Sequence, residues 1–174
     1  MNNTTRAILL SLLSVAVLAG CKTKATKDAT PPVDNSGTTG TVVDNGTTTA
    51  GAYGPNDLDT DSCLRQRVVY FDLDQYVVKP EYQAIINCHA KYLRDRPSSR
   101  ITLEGNADER GSREYNLGLG ERRGNAVNSA LQAAGGSASQ LTVVSYGEER
   151  PVCTQSDESC WSQNRRVEIV YTAK

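Results

Sequence analysis

Residues Arg100 to Asn116 read RITLEGNADERGSREYN, and the fold turns on how this stretch divides. Ile101 and Leu103 alternate with polar neighbours, so Arg100 to Gly105 is predicted as a half-buried strand. A charged loop follows. From about Ser112 the chain enters a helix that runs to Ala134, where Gly135-Gly136 stops it. A strand passing through a short loop into a long helix is the repeating step of a mixed α/β domain.

The same step recurs on either side. Arg65 to Phe71 (RQRVVYF) carries β-branched and aromatic residues and is predicted as a strand. Pro80 suits the first turn of a helix in which Tyr82, Ile85, Ile86, His89, Ala90 and Leu93 recur at helical spacing, and Pro97 ends it. Leu141 to Tyr146 is a third strand. A loop with the last two cysteines and one short helix leads to a fourth, Arg166 to Tyr171. The order βαβαβ(α)β predicts a mixed four-stranded sheet with helices on one face, an α/β sandwich of about 115 residues. That length is enough for a real core.

The loop in the opening stretch gathers Asp108, Glu109, Arg110, Arg113 and Glu114 without a histidine, cysteine or lysine. Lys+Arg is 19 and Asp+Glu is 20, so no basic excess points to a nucleic acid. From Asp57 onward there are twelve arginines and three lysines. An arginine fork matches a carboxylate, whereas lysine is a flexible point charge. Asp108 precedes a helix N-terminus, where free N–H groups point outward. Within that helix Asn116 and Arg123 are two turns apart on one face, about 10 Å along the axis. Gly120 lies between them, at a cost of about 1 kcal/mol against alanine, and Gly118 is a second such cost. Bare backbone here fits either a closely approaching ligand or close helix–sheet packing. A carboxylate loop beside a guanidinium would clamp a ligand bearing both an ammonium and a carboxylate, such as a free amino-acid end, without transforming it. A wall hydrolase is the enzymatic alternative. It would need a carboxyl of raised pKa, and the interleaved arginines lower these instead. Asp72-Leu73-Asp74 could begin a calcium loop, but Val77 and Gln83 stand where that loop needs glycine and glutamate. Asp72 is read instead as lying at the carboxyl end of the first strand, where α/β sheets bind ligands.

The first twenty residues are read as a lipoprotein signal peptide. Arg6 supplies a small positive region, and Ala7 to Ala19 is an apolar run too short to span a bilayer. It ends in Leu18-Ala19-Gly20-Cys21, which resembles a bacterial lipobox, so Cys21 is expected to carry acyl chains such as palmitate. Several chains on one residue anchor stably. Lys22 after the cysteine favours the outer membrane, by resemblance to sorted lipoproteins. Residues 21–56 are expected to be a lipid-anchored, disordered tether. They are rich in Thr, Gly, Asn and Asp, with little to bury. Such a tether has an r.m.s. span of roughly 30–35 Å. The folded domain is expected over residues 57–174.

Four further cysteines, Cys63, Cys88, Cys153 and Cys160, in an exported chain argue for disulfides. No Cys-x-x-Cys pair and a single histidine argue against zinc. Three connectivities are open. Local pairing of Cys153 with Cys160, leaving Cys63 for Cys88, is the favoured one.

Six segments stand in order: VYFDLD (69–74), GNADERG (105–111), EYN (114–116), LGERR (119–123), VSYGEE (144–149) and NRRV (164–167). Together they resemble the OmpA-like peptidoglycan-binding domain family, most closely its lipid-anchored variety, the peptidoglycan-associated lipoproteins. The resemblance spans Val68 to Lys174. It implies a protein that is not an enzyme and needs no cofactor. Such a protein binds the meso-diaminopimelate of the peptidoglycan stem peptide and so ties the outer membrane to the wall. On the matching positions, Asp108 and Arg123 would grip the ammonium and carboxylate, and Phe71 and Asp72 would form a neighbouring wall. Arg110 and Asn116 would line or brace the groove, with Arg165 a further candidate. The resemblance also implies a periplasmic partner, TolB, and a place in the Tol-Pal system of cell division. A wall-binding lipoprotein without a Tol partner is the alternative. Asn106 stands where the family usually has histidine, and the four cysteines after Cys21 are unusual for it. A disulfide in the last loop does resemble one in some OmpA proteins, which favours Cys153–Cys160.

Overall fold

The computed structural model describes residues 51–174. The signal peptide, Cys21 and residues 21–50 of the expected tether lie outside the described residues.

Four strands form one sheet: β1 (Val68–Tyr70), β2 (Arg100–Asn106), β3 (Leu141–Gly147) and β4 (Arg166–Ala173), in the order β1-β4-β2-β3. β2 and β3 are parallel, joined through the long helix α3, whereas β4 runs antiparallel to both β1 and β2. The helices are α1 (Asp57–Thr60), α2 (Gln83–Asp95), α3 (Arg113–Ala133) and α4 (Glu158–Asn164). This is the mixed sheet expected from the sequence, with α2 and α3 covering one face.

Alternation decides which face. Ile101 and Leu103 of β2, Val167 and Ile169 of β4, and Val69 of β1 are buried against Ile85, Ile86, Ala90 and Leu93 of α2 and Val127 and Leu131 of α3. The opposite face is polar. There Arg150 stacks 3.5 Å from the centre of the Tyr146 ring and pairs with Glu104.

Gly120 of α3 and Gly105 of β2 let helix and sheet meet closely. A Cβ on Gly105 would lie 1.9 Å from the carbonyl oxygen of Gly120, and one on Gly120 would lie 2.3 Å from the Ser145 hydroxyl. The α3 backbone therefore rests directly on β2 and β3. Of the two readings of Gly120, helix–sheet packing holds.

Two boundaries differ from expectation. β1 is only three residues long, although single ladder bonds continue just past its ends, from the Ile169 N–H to the Arg67 carbonyl and from the Phe71 N–H to the Arg165 carbonyl. The folded part also begins earlier than Asp57. The Tyr53 N–H donates to Asp95 at 2.9 Å, Lys91 donates to the Gly51 carbonyl, and the Tyr53 ring packs on Tyr92. Gly51 and Tyr53, expected in the tether, thus contact α2.

Both favoured disulfides are present. Cys63–Cys88 pins the segment after α1 to α2, and Cys153–Cys160 closes the loop into α4. Between the first bridge and β4 lies His89, fully buried. Its Nε2 is 2.9 Å from the Gln66 carbonyl, which only accepts, so that nitrogen carries the proton. Nδ1 then accepts from the Tyr171 hydroxyl at 2.8 Å. Burial pushes His89 down to about 4, keeping the ring neutral.

Candidate ligand-binding site

The site is built where β1 and β2 end and α3 begins. After β1 the chain makes a tight turn, with the Gln75 N–H donating to the Asp72 carbonyl at 3.2 Å. Asp74 takes a left-handed backbone (φ 57°) that aspartate tolerates better than most residues. The turn offers the Asp72 and Gln75 carbonyls to Arg123, which reaches them from α3. Arg123 Nε donates to Gln75 O at 2.8 Å, Nη2 to Asp72 O at 3.1 Å and Nη1 to Asn106 O at 2.8 Å. The guanidinium lies 5.4 Å from the centre of the buried Phe71 ring. Arg123 has no exposed surface. Burial pushes its pKa down to about 10, opposed by Asp108, so it stays charged at neutral pH.

Asp108 sits in the loop between β2 and α3, and Ser112 caps that helix by accepting from the Tyr115 N–H. The carboxylate is almost entirely buried. Arg110 grips it with two side-chain bonds, of 3.2 and 2.8 Å, and with its own backbone N–H at 3.1 Å. Arg165, also buried, adds a fourth bond at 3.2 Å and uses its Nε on the Phe71 carbonyl. Burial alone would push Asp108 up. The hydrogen bonds from Arg110 and Arg165 outweigh it and hold the carboxyl below the usual range. Glu109 is also lowered, by the Ser156 hydroxyl and the Trp161 indole N–H.

Asp108, Arg110 and Arg123 line one cleft of about 280 Å³, together with Leu73, Asp74, Gly111, Tyr115 and Leu119. Two anionic and two cationic side chains thus meet around an apolar floor. Such a surface suits a ligand end that carries both charges.

The other expected residues stand around this cleft rather than in its lining. Asn116 braces it from behind, its amide donating to the Asp108 carbonyl at 3.1 Å and to Glu148. Arg165 supports Asp108 from within. Phe71 and Asp72 do not line this cleft, but with Arg165 and Lys79 they line a neighbouring one. The Phe71 ring is buried beneath Arg123, and the Asp72 carboxylate turns outward to Lys79 at 2.6 Å. Only the main chain of Asp72 serves the site, because its carbonyl is the acceptor the buried guanidinium needs. Asn106 is buried as well. Its amide donates to the Glu104 carbonyl, and its Oδ1 has no partner among the described residues.

Sequence reasoning missed the side chains that shape the cleft. Tyr115 bonds Asp74 across it, and Leu73, at 52% exposure, presents a large apolar side chain there. Asp74 was in view only as half of an Asp-x-Asp pair. Trp161 and Glu158, which hold Arg110 and Arg165, were also missed. Among the described residues no group of three or more His, Cys, Asp or Glu is placed to hold a metal.

The OmpA family signature matches residues 70–165, from the last residue of β1 to the residue before β4, and includes every residue of the cleft. The chain belongs to the OmpA family. Within it, the chain groups with the peptidoglycan-associated lipoproteins. It is 43% identical to the peptidoglycan-associated lipoprotein of Pseudomonas putida over 164 residues, covering 90% of this chain and 91% of that one. It is 38% identical to the protein of the same name from Pasteurella multocida, covering 94% and 96%. Among solved structures, the peptidoglycan-associated lipoprotein of Burkholderia pseudomallei superposes with a TM-score of 0.65 at 46% identity, covering 67% of this chain and 98% of that one. The C-terminal domain of Helicobacter pylori MotB shares the OmpA-family fold at 22% identity, with a TM-score of 0.56, covering 62% of this chain and 84% of that one.

Proposed function

We propose that this protein is a non-catalytic tether: acylated at Cys21, it sits in the outer membrane and holds the wall by the diaminopimelate of peptidoglycan stem peptides. Residues 1–20 are then the cleaved signal, and the segment after Cys21 is the reach between lipid and wall. One observation carries the reading. An ionised Asp108 and a buried, charged Arg123 line a single cleft, with Arg110 beside them. A diaminopimelate side chain that is not cross-linked ends in an ammonium and a carboxylate, which are the two groups this cleft complements. The relatives' shared name, peptidoglycan-associated lipoprotein, supports the same reading.

Asp108 and Glu109 are both held below the ordinary carboxylate range, the opposite of what a general acid for glycoside cleavage needs. The protein binds the wall and leaves it intact. Its periplasmic partner is TolB, meeting the loops around Asp72, Asp108 and Tyr146, so that wall and partner compete within the Tol-Pal system.

Incubation of the full chain with purified diaminopimelate-type sacculi tests the tether. Co-sedimentation displaced by free diaminopimelate, with no soluble muropeptides released, is expected. Release of muropeptides would replace the tether with a hydrolase.

A further inference from the structure

A second layer of side chains stands behind Asp108, and it belongs to the disulfide-closed segment. Cys153 and Cys160 are bridged, and the Asn164 side chain ties the same segment from its other end. Asn164 Oδ1 accepts from the N–H groups of Val152 (2.9 Å) and Cys153 (3.2 Å), while its Nδ2 donates to the Cys153 carbonyl at 2.7 Å. Asp157 caps α4, accepting from the Cys160 N–H at 3.1 Å. The segment is therefore closed on itself by a covalent bond and four hydrogen bonds.

What it presents is a seat for two cations. The Arg110 guanidinium lies 4.1 Å from the centre of the Trp161 ring, and Trp161 Nε1 donates to Glu109 at 3.0 Å. Glu158 takes Arg165 Nη2 and lies 3.5 Å from Arg110 Nη2. The same two arginines hold Asp108, Arg110 through Nε and that same Nη2, and Arg165 through Nη1. Trp161, Glu158 and Cys160 do not line the cleft. They act through Arg110 and Arg165.

We propose that the segment Cys153–Asn164 is a positioning element: Trp161, fixed by the Cys153–Cys160 bridge, holds the cleft residue Arg110 in one geometry beside Asp108 and thereby sets the affinity of the cleft for a zwitterionic end. This rests on the reading of the cleft as a site for a zwitterionic end. The charged groups facing Asp108 are Arg110 and Glu109 on its own loop, Arg165 at the end of α4 and Arg123 on α3. Arg110 is the exposed member, a third open to water, so it is the one that needs a seat. Without the ring, its side chain gains freedom and spends less time on Asp108. Burial then acts on Asp108 with less opposition, and the carboxyl takes up its proton at a higher pH.

The test is a carbon-13 NMR titration of the Asp108 carboxyl in the full chain, paired with titration of a diaminopimelate stem peptide. Trp161→Ala and the Cys153→Ser/Cys160→Ser double variant are expected to move the Asp108 titration to higher pH. Both should weaken peptide binding about tenfold, with the acid limb of binding moved the same way. Trp161→Phe keeps a ring face under Arg110 and should stay within about twofold of the parent. An unmoved Asp108 titration in Trp161→Ala, or a Trp161→Phe variant as weak as Trp161→Ala, would overturn the proposal. If the parent itself fails to bind the peptide, the wall-binding reading falls, while the Asp108 titration still decides the positioning role.

Discussion

Strand β4 joins two buried polar clusters that solve the same problem in opposite ways. Towards its far end lies His89, between Tyr171 and the Gln66 carbonyl, with the Cys63–Cys88 bridge alongside. At its start lies Arg165, one of the arginines on Asp108, with the Cys153–Cys160 bridge alongside. The first cluster is kept neutral by burial. The second stays ionised because the surrounding arginines offset the desolvation of the carboxylate. A neutral cluster can only hold the fold together. A charged one with one side open to a cleft can also bind.

The largest expected effect falls on the charged cluster. Arg123→Ala would take one donor from each of three main-chain carbonyls and leave a hole where the largest fully buried side chain among the described residues stood. A loss of about 4 kcal/mol in urea unfolding is expected. Arg123 is thus a clasp as well as a charge, so its alanine variant cannot serve as a clean binding probe.

The two bridges should separate stability from binding. Cys63–Cys88 spans 25 residues and Cys153–Cys160 spans 7. Loop-closure entropy gives about 3.5 kcal/mol for the longer and about 2.4 kcal/mol for the shorter. Cys63→Ser/Cys88→Ser is expected to lower the urea midpoint more while leaving peptide affinity unchanged. Cys153→Ser/Cys160→Ser should do the reverse.

Acid should reach the neutral cluster first. The folded pKa of His89, about 4, lies below the ordinary value of 6.5, so the unfolded chain takes the proton more readily. The stability it contributes is complete above pH 6.5 and is lost as pH falls towards 4, to the extent of about 3 kcal/mol. Asp108 is shifted the same way from a lower starting value, so its contribution is lost only as pH falls below 3.8. Urea unfolding at pH 7, 5.5 and 4 should show the first loss, and His89→Gln should abolish the slope in that window.

How far the sequence revealed these clusters depends on distance along the chain. The ends of β2 and α3 were legible to within a residue, because alternation, the Ser112 cap and the paired glycines are local signals. The α1 turn, only four residues long, carries no period to read. Asp108, Arg110 and Arg123 were legible as charges on adjoining elements. Two of the three carbonyls that hold Arg123 were not, since they lie 48 and 51 residues away and are main-chain groups of a turn. Phe71 and Asp72 were legible only through the resemblance, and with Arg165 they line a neighbouring cleft. Their contribution to the site is main chain and ring packing, which residue type alone does not announce. Trp161 reads as an ordinary aromatic until the fold sets it against Arg110.

The central claim is that the cleft reads both charges of one ligand end, and changing the ligand tests it without disturbing the protein. Calorimetric titration of the full chain would compare a diaminopimelate stem peptide with two others. One carries lysine in place of diaminopimelate and so lacks the carboxylate, and the other has the free ammonium acetylated. Both changes are expected to weaken binding at least about tenfold, the loss of one charge-assisted hydrogen bond each. Three equal affinities would contradict the account.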